Sequence, residues 1–259
     1  LEAALDVLLL NRTTRRIALT DEGRDYHARC QRVLAEVDDA EAALSARRAV
    51  PRGRLRVTAP VMFGRMHVAP VITEFVGKHA AVRAELILLD RVVDLVEEGI
   101  DVGVRIGRLP DSSLVALPIG DTRRVVCASP AYLRRAGTPA SPADLAAHRC
   151  VSFGGLAPGN EWTFDSGGKA TRVTVMPTLA SNQIDPALDA CVGGAGLGQF
   201  PSYQVRALLE AGKLKRVLVA FEPARLPIHA IYPSARLLSS NVRALVDWAV
   251  PRLRTRLST

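Results

Sequence analysis

Gly53-Arg54-Leu55-Arg56-Val57-Thr58-Ala59-Pro60 is where this chain changes character. From Arg47 to Arg54, Pro51 and Gly53 stand among arginines, a composition that ends a helix and reads as a hinge at 49–53. Leu55 to Ala59 then alternates as a strand does. Downstream, strands and helices take turns: strand 84–90, a short helix Val93–Glu98 closed by Gly99, strand Asp101–Arg105 and strand Val125–Ala128. Such alternation predicts βαβ units and parallel sheets, an α/β fold. Ser129-Pro130 and Ser141-Pro142 each place a capping hydroxyl before proline at the first helical position, and Asp144 completes a capping box. Later segments continue the pattern: helix Ile184–Val192 ended by Gly193-Gly194, strand Leu197–Pro201, a helix from Ser202, strand Ile228–Tyr232, and a last helix Ser239–Arg256 that Pro251 kinks.

Upstream of the hinge the pattern differs. Residues 1–9 read as the tail of a helix, and 10–19 as a small hairpin with a basic tip. Arg12, Thr13, Thr14, Arg15 and Arg16 at that tip suit contact with phosphates; an exposed basic turn explains them equally well. Thr20 is a natural N-cap followed by acidic Asp21 and Glu22, with Gly23 a small cost in the first turn. Tyr26, Cys30, Val33, Val37, Ala40 and Leu44 then recur at alternating spacings of four and three. The rest of that helix is charged, so the thin seam predicts pairing with a second helix, and hence a dimer. Packing on its own domain is the alternative.

The totals limit the function classes. The 259 residues are 48% hydrophobic and 23% charged, enough for one large or two modest domains with a proper core. A formal net charge of +8 favours anionic partners without choosing among them. Cys30, Cys127, Cys150 and Cys191 are far apart and form no CxxC, which fits a reduced, cytoplasmic setting. No apolar run is long enough for a membrane span, and Leu-Glu-Ala-Ala is no signal peptide. The absence of an initiator methionine suggests a chain that begins inside a longer protein.

No GxSxG, HExxH or Walker loop is present, and the five histidines share no ligand spacing, so neither an enzyme nor a metal site is expected. Gly193 to Gly198 lacks the GxGxxG register and follows a helix, which argues against a nucleotide cofactor; no cofactor is expected. What the residues do suggest is binding at helix starts, where free N–H groups attract anions. Candidates are Pro60-Val61, Ser129 and Asn182-Gln183, with Arg105 at a strand's carboxyl end as the charge partner. Each is, taken alone, more simply a structural cap.

Longer motifs now carry a resemblance. Leu10 to Thr20 followed by Asp21-Glu22-Gly23 resembles the wing and linker-helix start of LysR-type transcriptional regulators. Gly53 to Pro60, Asp94 to Gly107, and Cys127-Ala128-Ser129-Pro130-Ala131-Tyr132-Leu133 match the family in order, so the resemblance covers essentially the whole chain. It implies a residual winged helix-turn-helix hairpin (1–19), a dimerising linker helix (20–48), and a two-lobed, periplasmic-binding-protein-like effector domain (54–259). Lobe I would take about 54–126 and 226–259, lobe II about 127–225. The resemblance implies that a small-molecule effector binds between the lobes, and the helix starts with Arg105 favour an anionic one. Its contacts would map to Ala59, Pro60, Val61, Arg105, Ser129, Asn182, Gln183, Gln199 and Phe200. Ala59 and Pro60 depart from the family, many of whose members carry a hydroxyl there. Implied partners are promoter DNA and a second copy, with pairing of dimers into tetramers common in the family. Base-reading residues would precede the wing, so DNA binding by this chain alone is expected to be weak and unselective. A transporter's solute-binding protein shares the lobed fold; the heptad helix and missing signal peptide speak against it. A porphobilinogen-deaminase-like enzyme of the same fold lacks support from any catalytic set.

Overall fold

The computed structural model describes residues 1–12, 17–27, 29–30, 33, 51–109, 114–154, 160–234 and 239–258. At the front, α1 (Glu2–Leu5) leads into a hairpin of β1 (Leu10–Arg12) and β2 (Ile17–Leu19), with Leu10 opposite Leu19. The Glu2 carboxylate accepts from the Leu9 and Leu10 amides at 2.7 and 2.9 Å and ties the two together. Thr20 caps α2 (21–27) by accepting from the Gly23 amide at 2.9 Å. Gly23 is more than a tolerated cost. A Cβ there would lie 2.0 Å from the Leu9 carbonyl oxygen, so the close approach of helix and hairpin requires glycine. Most of the helix seam, including Val37, Ala40 and Leu44, lies outside the described residues, as do Thr13 to Arg16.

Lobe I is built on β3 (Gly53–Ala59), β4 (Val82–Leu88), β5 (Val102–Ile106), β6 (Leu114–Thr122) and a late return strand, Leu226–Pro233. The sheet places β3 in parallel between β4 and β5, and the return strand antiparallel between β5 and β6. After β3 the chain coils through α3 (Val61–Phe63), a wider π-helical turn (Gly64–Val68) and α4 (Ala69–Lys78). Expected helix Val93–Glu98 is a set of turns instead. The Asp94 carboxylate caps the Val96 and Glu97 amides, and Gly99 turns away at φ 61°. β4 also begins and ends two residues earlier than the alternation suggested, because Leu89 turns to bond the Ala59 carbonyl.

Lobe II follows at once. β7 (Arg124–Ala128) leads to α5 (Pro130–Ala136), a 3-10 turn (Pro142–Ala147) holding the Ser141–Asp144 capping box, and β8 (Cys150–Phe153). A hairpin of β9 (Glu161–Ser166) and β10 (Lys169–Thr174) precedes β11 (Pro177–Ser181), α6 (Ile184–Val192), β12 (Leu197–Pro201), α7 (Ser202–Glu210) and β13 (Lys215–Val217). The five-stranded sheet runs β11-β8-β12-β7-β13, with the first three parallel. The glycine run after α6 serves packing: a Cβ on Gly196 would sit 2.4 Å from the Arg149 carbonyl oxygen. The chain returns to lobe I as β14 (Leu226–Pro233) and ends in α8 (Ser240–Ser258), which covers the first sheet. Both crossings are therefore short. The first falls at Arg123, three residues before the expected boundary.

One buried cluster runs through both lobes, from Leu55 and Phe75 through Phe63 to Tyr203, Phe200 and Ile184. At the seam Phe63 meets Tyr203 edge-on at 5.4 Å between ring centres, and His67 lies 4.8 and 5.8 Å from the same two rings. Full burial of a side chain like Phe63 contributes roughly 1.5–3 kcal/mol. Arg65 reaches Asp185 at 3.4 Å across the same seam.

Three substitutions test this packing. Gly196→Ala should lower unfolding free energy by about 1–3 kcal/mol in urea titration, the scale of overpacking. Gly77→Ala, with open space around its helical position, should raise it by about 0.5–1 kcal/mol; equal effects would refute the close-approach account. Burial first, then the charges of Arg206 and Arg256, hold His67 below the ordinary imidazole value. The unfolded chain thus takes up a proton the folded chain resists, and stability falls as pH drops below about 6.5. His67→Gln should flatten part of that slope in denaturation series from about pH 7.5 to 5.5.

Candidate functional site

The carboxyl ends of the parallel strands in lobe I meet the seam, the usual place for a ligand in an α/β sheet. Ala59 and Pro60 are buried there, and Val61 opens the helix. The helix start is not free. The Val61 amide donates to the Asp90 carboxylate at 3.0 Å, so the protein's own acid occupies that donor. Desolvation raises the Asp90 pKa, and the Val61 hydrogen bond opposes the rise. Across the seam stand Tyr203 and Gln204, joined side chain to side chain at 3.2 Å, with the Gln204 Oε1 buried and unpartnered among the described residues.

The remaining expected contacts separate into groups. Arg105 is half-buried, directly opposite His229 in the sheet, and donates to the Val93 carbonyl at 2.8 Å. Burial lowers the Arg105 pKa, while the His229 Nδ1 is buried without a partner among the described residues. Asn182 and Gln183 are exposed at the start of α6, beside the Arg65–Asp185 contact. Gln199 is nearly buried in β12; its amide donates to the Thr163 carbonyl at 3.0 Å and its Oε1 has no partner among the described residues. Buried polar atoms in that state cost about 1–3 kcal/mol each, so they mark places where a ligand or water completes the set.

Two expected residues are kept apart by the fold. Ser129 caps α5 at the end of β7 farthest from the crossing, since Arg124 pairs with Pro201 and Cys127 with Gly198. Five residues of strand, at about 3.3 Å each, put it roughly 16 Å from Arg124. Phe200 is fully buried, its ring lying against Gly198 and filling the shared core. Both have structural duties that explain them.

Sequence reading put the boundary near the crossing but passed over the two arginines that stand there. Arg123 and Arg124 follow the last residue of β6, and they serve different hollows. Arg124 lines a cleft of about 320 Å³ with Thr163, Pro223, Leu226 and the Glu161–Arg172 pair. It is half-buried, burial lowers its pKa, and among the described residues its side chain has no hydrogen-bond or ion-pair partner. Successive residues face opposite sides of an extended chain, so Arg124 shares its face with Gln199, two rungs along the paired strand. The adjacency of two arginines between strands was the available signal.

Burial pushes the Cys150 thiol up to about 11 and Cys191 to about 12, far from reactive thiolates. Among the described residues no cluster of His, Cys, Asp and Glu could hold a metal, and no helix is long and apolar enough to cross a membrane.

Known proteins agree with the architecture. Residues 48–254 match the LysR substrate binding domain. An HTH-type transcriptional repressor of Pseudomonas aeruginosa is 36% identical over 252 residues, covering 96% of this chain and 80% of that protein. The HTH-type transcriptional regulator CrgA of Neisseria meningitidis serogroup C is 34% identical over 259 residues, covering 99% and 86%. A solved structure of CrgA, a LysR-type transcriptional regulator, superposes with a TM-score of 0.71 at 31% identity, over 97% of this chain and 86% of that one. The full-length Vibrio cholerae virulence activator AphB gives 0.71 at 25% identity, over 96% and 86%. With a two-lobed fold, a hairpin and capped helix in front of it, and a family match across most of its length, the chain belongs to the LysR family of DNA-binding transcriptional regulators, with an effector-binding domain at 48–254.

Proposed function

We propose that this regulator responds to a small anionic effector held at the crossing between its lobes, with Arg124 as the charge partner. The observation that carries the proposal is the half-buried Arg124 side chain, a desolvated cation without a carboxylate partner among the described residues. A buried charge in that state is costly, and an anion entering the cleft offsets the cost. The hollow of about 320 Å³ is of metabolite size. Gln199 and Thr163 supply polar contacts beside it, and Leu226 an apolar wall. Ala59, Pro60, Val61, Asn182 and Gln183 border the seam; because Asp90 already takes the Val61 amide, they shape the entrance and leave the charge to Arg124. Arg105, held by the Val93 carbonyl, adds positive potential from lobe I. The regulator's output is control of transcription, not catalysis. The hairpin at 10–19 meets the DNA backbone, and the helix over 20–48 pairs two copies; Tyr26 and Cys30 face each other one turn apart on its described part, and Val33 is exposed there.

A thermal-shift screen of small carboxylates should find a ligand that raises the melting temperature. Arg124→Ala should then weaken it about tenfold in calorimetry, the worth of one charge-assisted hydrogen bond; unchanged affinity would remove Arg124 from the site. Replacing Val33, Val37 and Leu44 together with glutamate should shift sedimentation from dimer to monomer, whereas an unaltered assembly would rule out the helix seam.

A further inference from the structure

The aromatic contact between the lobes contains one group able to change its charge near neutral pH. His67 sits on the π-helical turn Gly64–Val68, a rare widening of the helix that recurs at functional sites. Its ring lies 4.8 Å from the Phe63 ring of its own lobe and 5.8 Å from the Tyr203 ring of the other. Phe63 and Tyr203 are both buried and meet edge-on at 5.4 Å, so the three rings make the seam together. The His67 Nε2 is buried there without a hydrogen-bond partner among the described residues. The Tyr203 hydroxyl is engaged elsewhere, accepting from the Gln204 amide at 3.2 Å.

The carboxylates on the elements packed against this turn are already engaged. On the turn itself Arg65 reaches Asp185 at 3.4 Å. On α4, Glu74 is held by Arg252 and Arg256 of α8 at 3.8 and 3.1 Å, and Lys78 lies over the Trp248 ring. Arg54 and Arg56 of β3 share Glu85. α3 carries no charged side chain, and Asp90 after β4 accepts from the Val61 amide at 3.0 Å. From α7 come Tyr203, which burial keeps neutral, and Arg206. Burial opposes a proton on His67 most strongly, and the charges of Arg206 and Arg256 oppose it further.

We infer that His67 is a proton-operated latch between the lobes: its neutral ring closes the seam, and a proton on it parts the seam. A charged imidazole among Phe63 and Tyr203 has no counter-charge to offset its lost hydration. Parting the lobes returns the ring to water, so the parted form binds the proton more tightly and gains population in acid. Parting sets in as pH falls through about 6.5, the ordinary imidazole value, and is complete below the depressed value of the closed form. By the same linkage, closure expels the proton, and a ligand that holds the lobes closed binds less tightly in acid. The latch does not rest on which ligand occupies the Arg124 cleft. It is also distinct from unfolding, because each sheet keeps its own strands while the seam opens.

The test is hydroxyl-radical footprinting of the full chain at pH 7.5 and 5.5, read by mass spectrometry. Oxidation of Phe63 and Tyr203 should rise roughly three- to tenfold at the lower pH, the scale of a depressed imidazole titration. Phe75 and Phe164, buried within lobe I and lobe II respectively, should stay protected. His67→Gln should abolish the rise at Tyr203, and His67→Phe should do so while keeping a ring in the seam. Melting at pH 7.5 confirms that at least the phenylalanine variant is folded. The His67 imidazole resonance, assigned by its loss in either variant, should titrate below about 6.5. Titration at or above that value, unchanged Tyr203 oxidation in acid, a rise shared equally by Phe75 and Phe164, or a rise that persists in His67→Phe would each overturn the inference.

Discussion

Among the described strands the chain passes between its two sheets twice, at Arg123 and again between β13 and β14, and the other features of the sensor depend on those passes. Short crossings fix how far the sheets can separate. They also bring the carboxyl ends of β3, β4 and β5 to the seam, where irregular backbone and polar side chains can meet a ligand. The apolar cluster that runs through Phe63 and Tyr203 holds that arrangement by packing, the four cysteines being free thiols. Charge then collects where the backbone is thinnest. Arg123 and Arg124 are neighbours in sequence, yet one joins a paired arginine frame and the other stands in a desolvated cleft.

Asp90 changes the meaning of the helix start after β3. A bare helix N-terminus is a ready anion site. Here the Val61 amide is committed to a carboxylate inside the protein, and the residues at 59 and 60 offer no hydroxyl. The family position is thus chemically closed to an outside acid as long as Asp90 stays ionised. Desolvation works against that ionisation, and the hydrogen bond works for it. Desolvation is the larger of the two, so burial favours the neutral acid at this end of the seam while the crossing end carries the Arg124 guanidinium.

Much of the architecture was legible because its signals were local. Leu55–Ala59 alternates, the Ser-Pro pairs cap their helices, and α6 and β12 fall where their apolar runs lie. What escaped were elements whose logic is not local. β6 is a sheet-edge strand carrying Pro118, with an irregular pattern of burial, so alternation does not announce it. The β9–β10 hairpin turns at Gly167-Gly168, a recognised two-residue hairpin signal that the surrounding polar residues obscured. For the site, residue types were legible and convergence was not. Gln199 came to face Thr163, but Ser129 ended at the far side of its sheet and Phe200 in the core. Arg124 matters because no partner stands beside it among the described residues, and that cannot be read along a chain.

The continuity of the core across the seam has a thermal consequence. In a molecule hinged through solvent, opening costs little apolar exposure and is nearly insensitive to temperature. Separating these lobes would bring Phe63, His67 and Tyr203 into water, so the open and closed forms differ in heat capacity. Their equilibrium is therefore curved in temperature, as partial unfolding is. A sensor of this kind reads its ligand against a background that warming and cooling both shift.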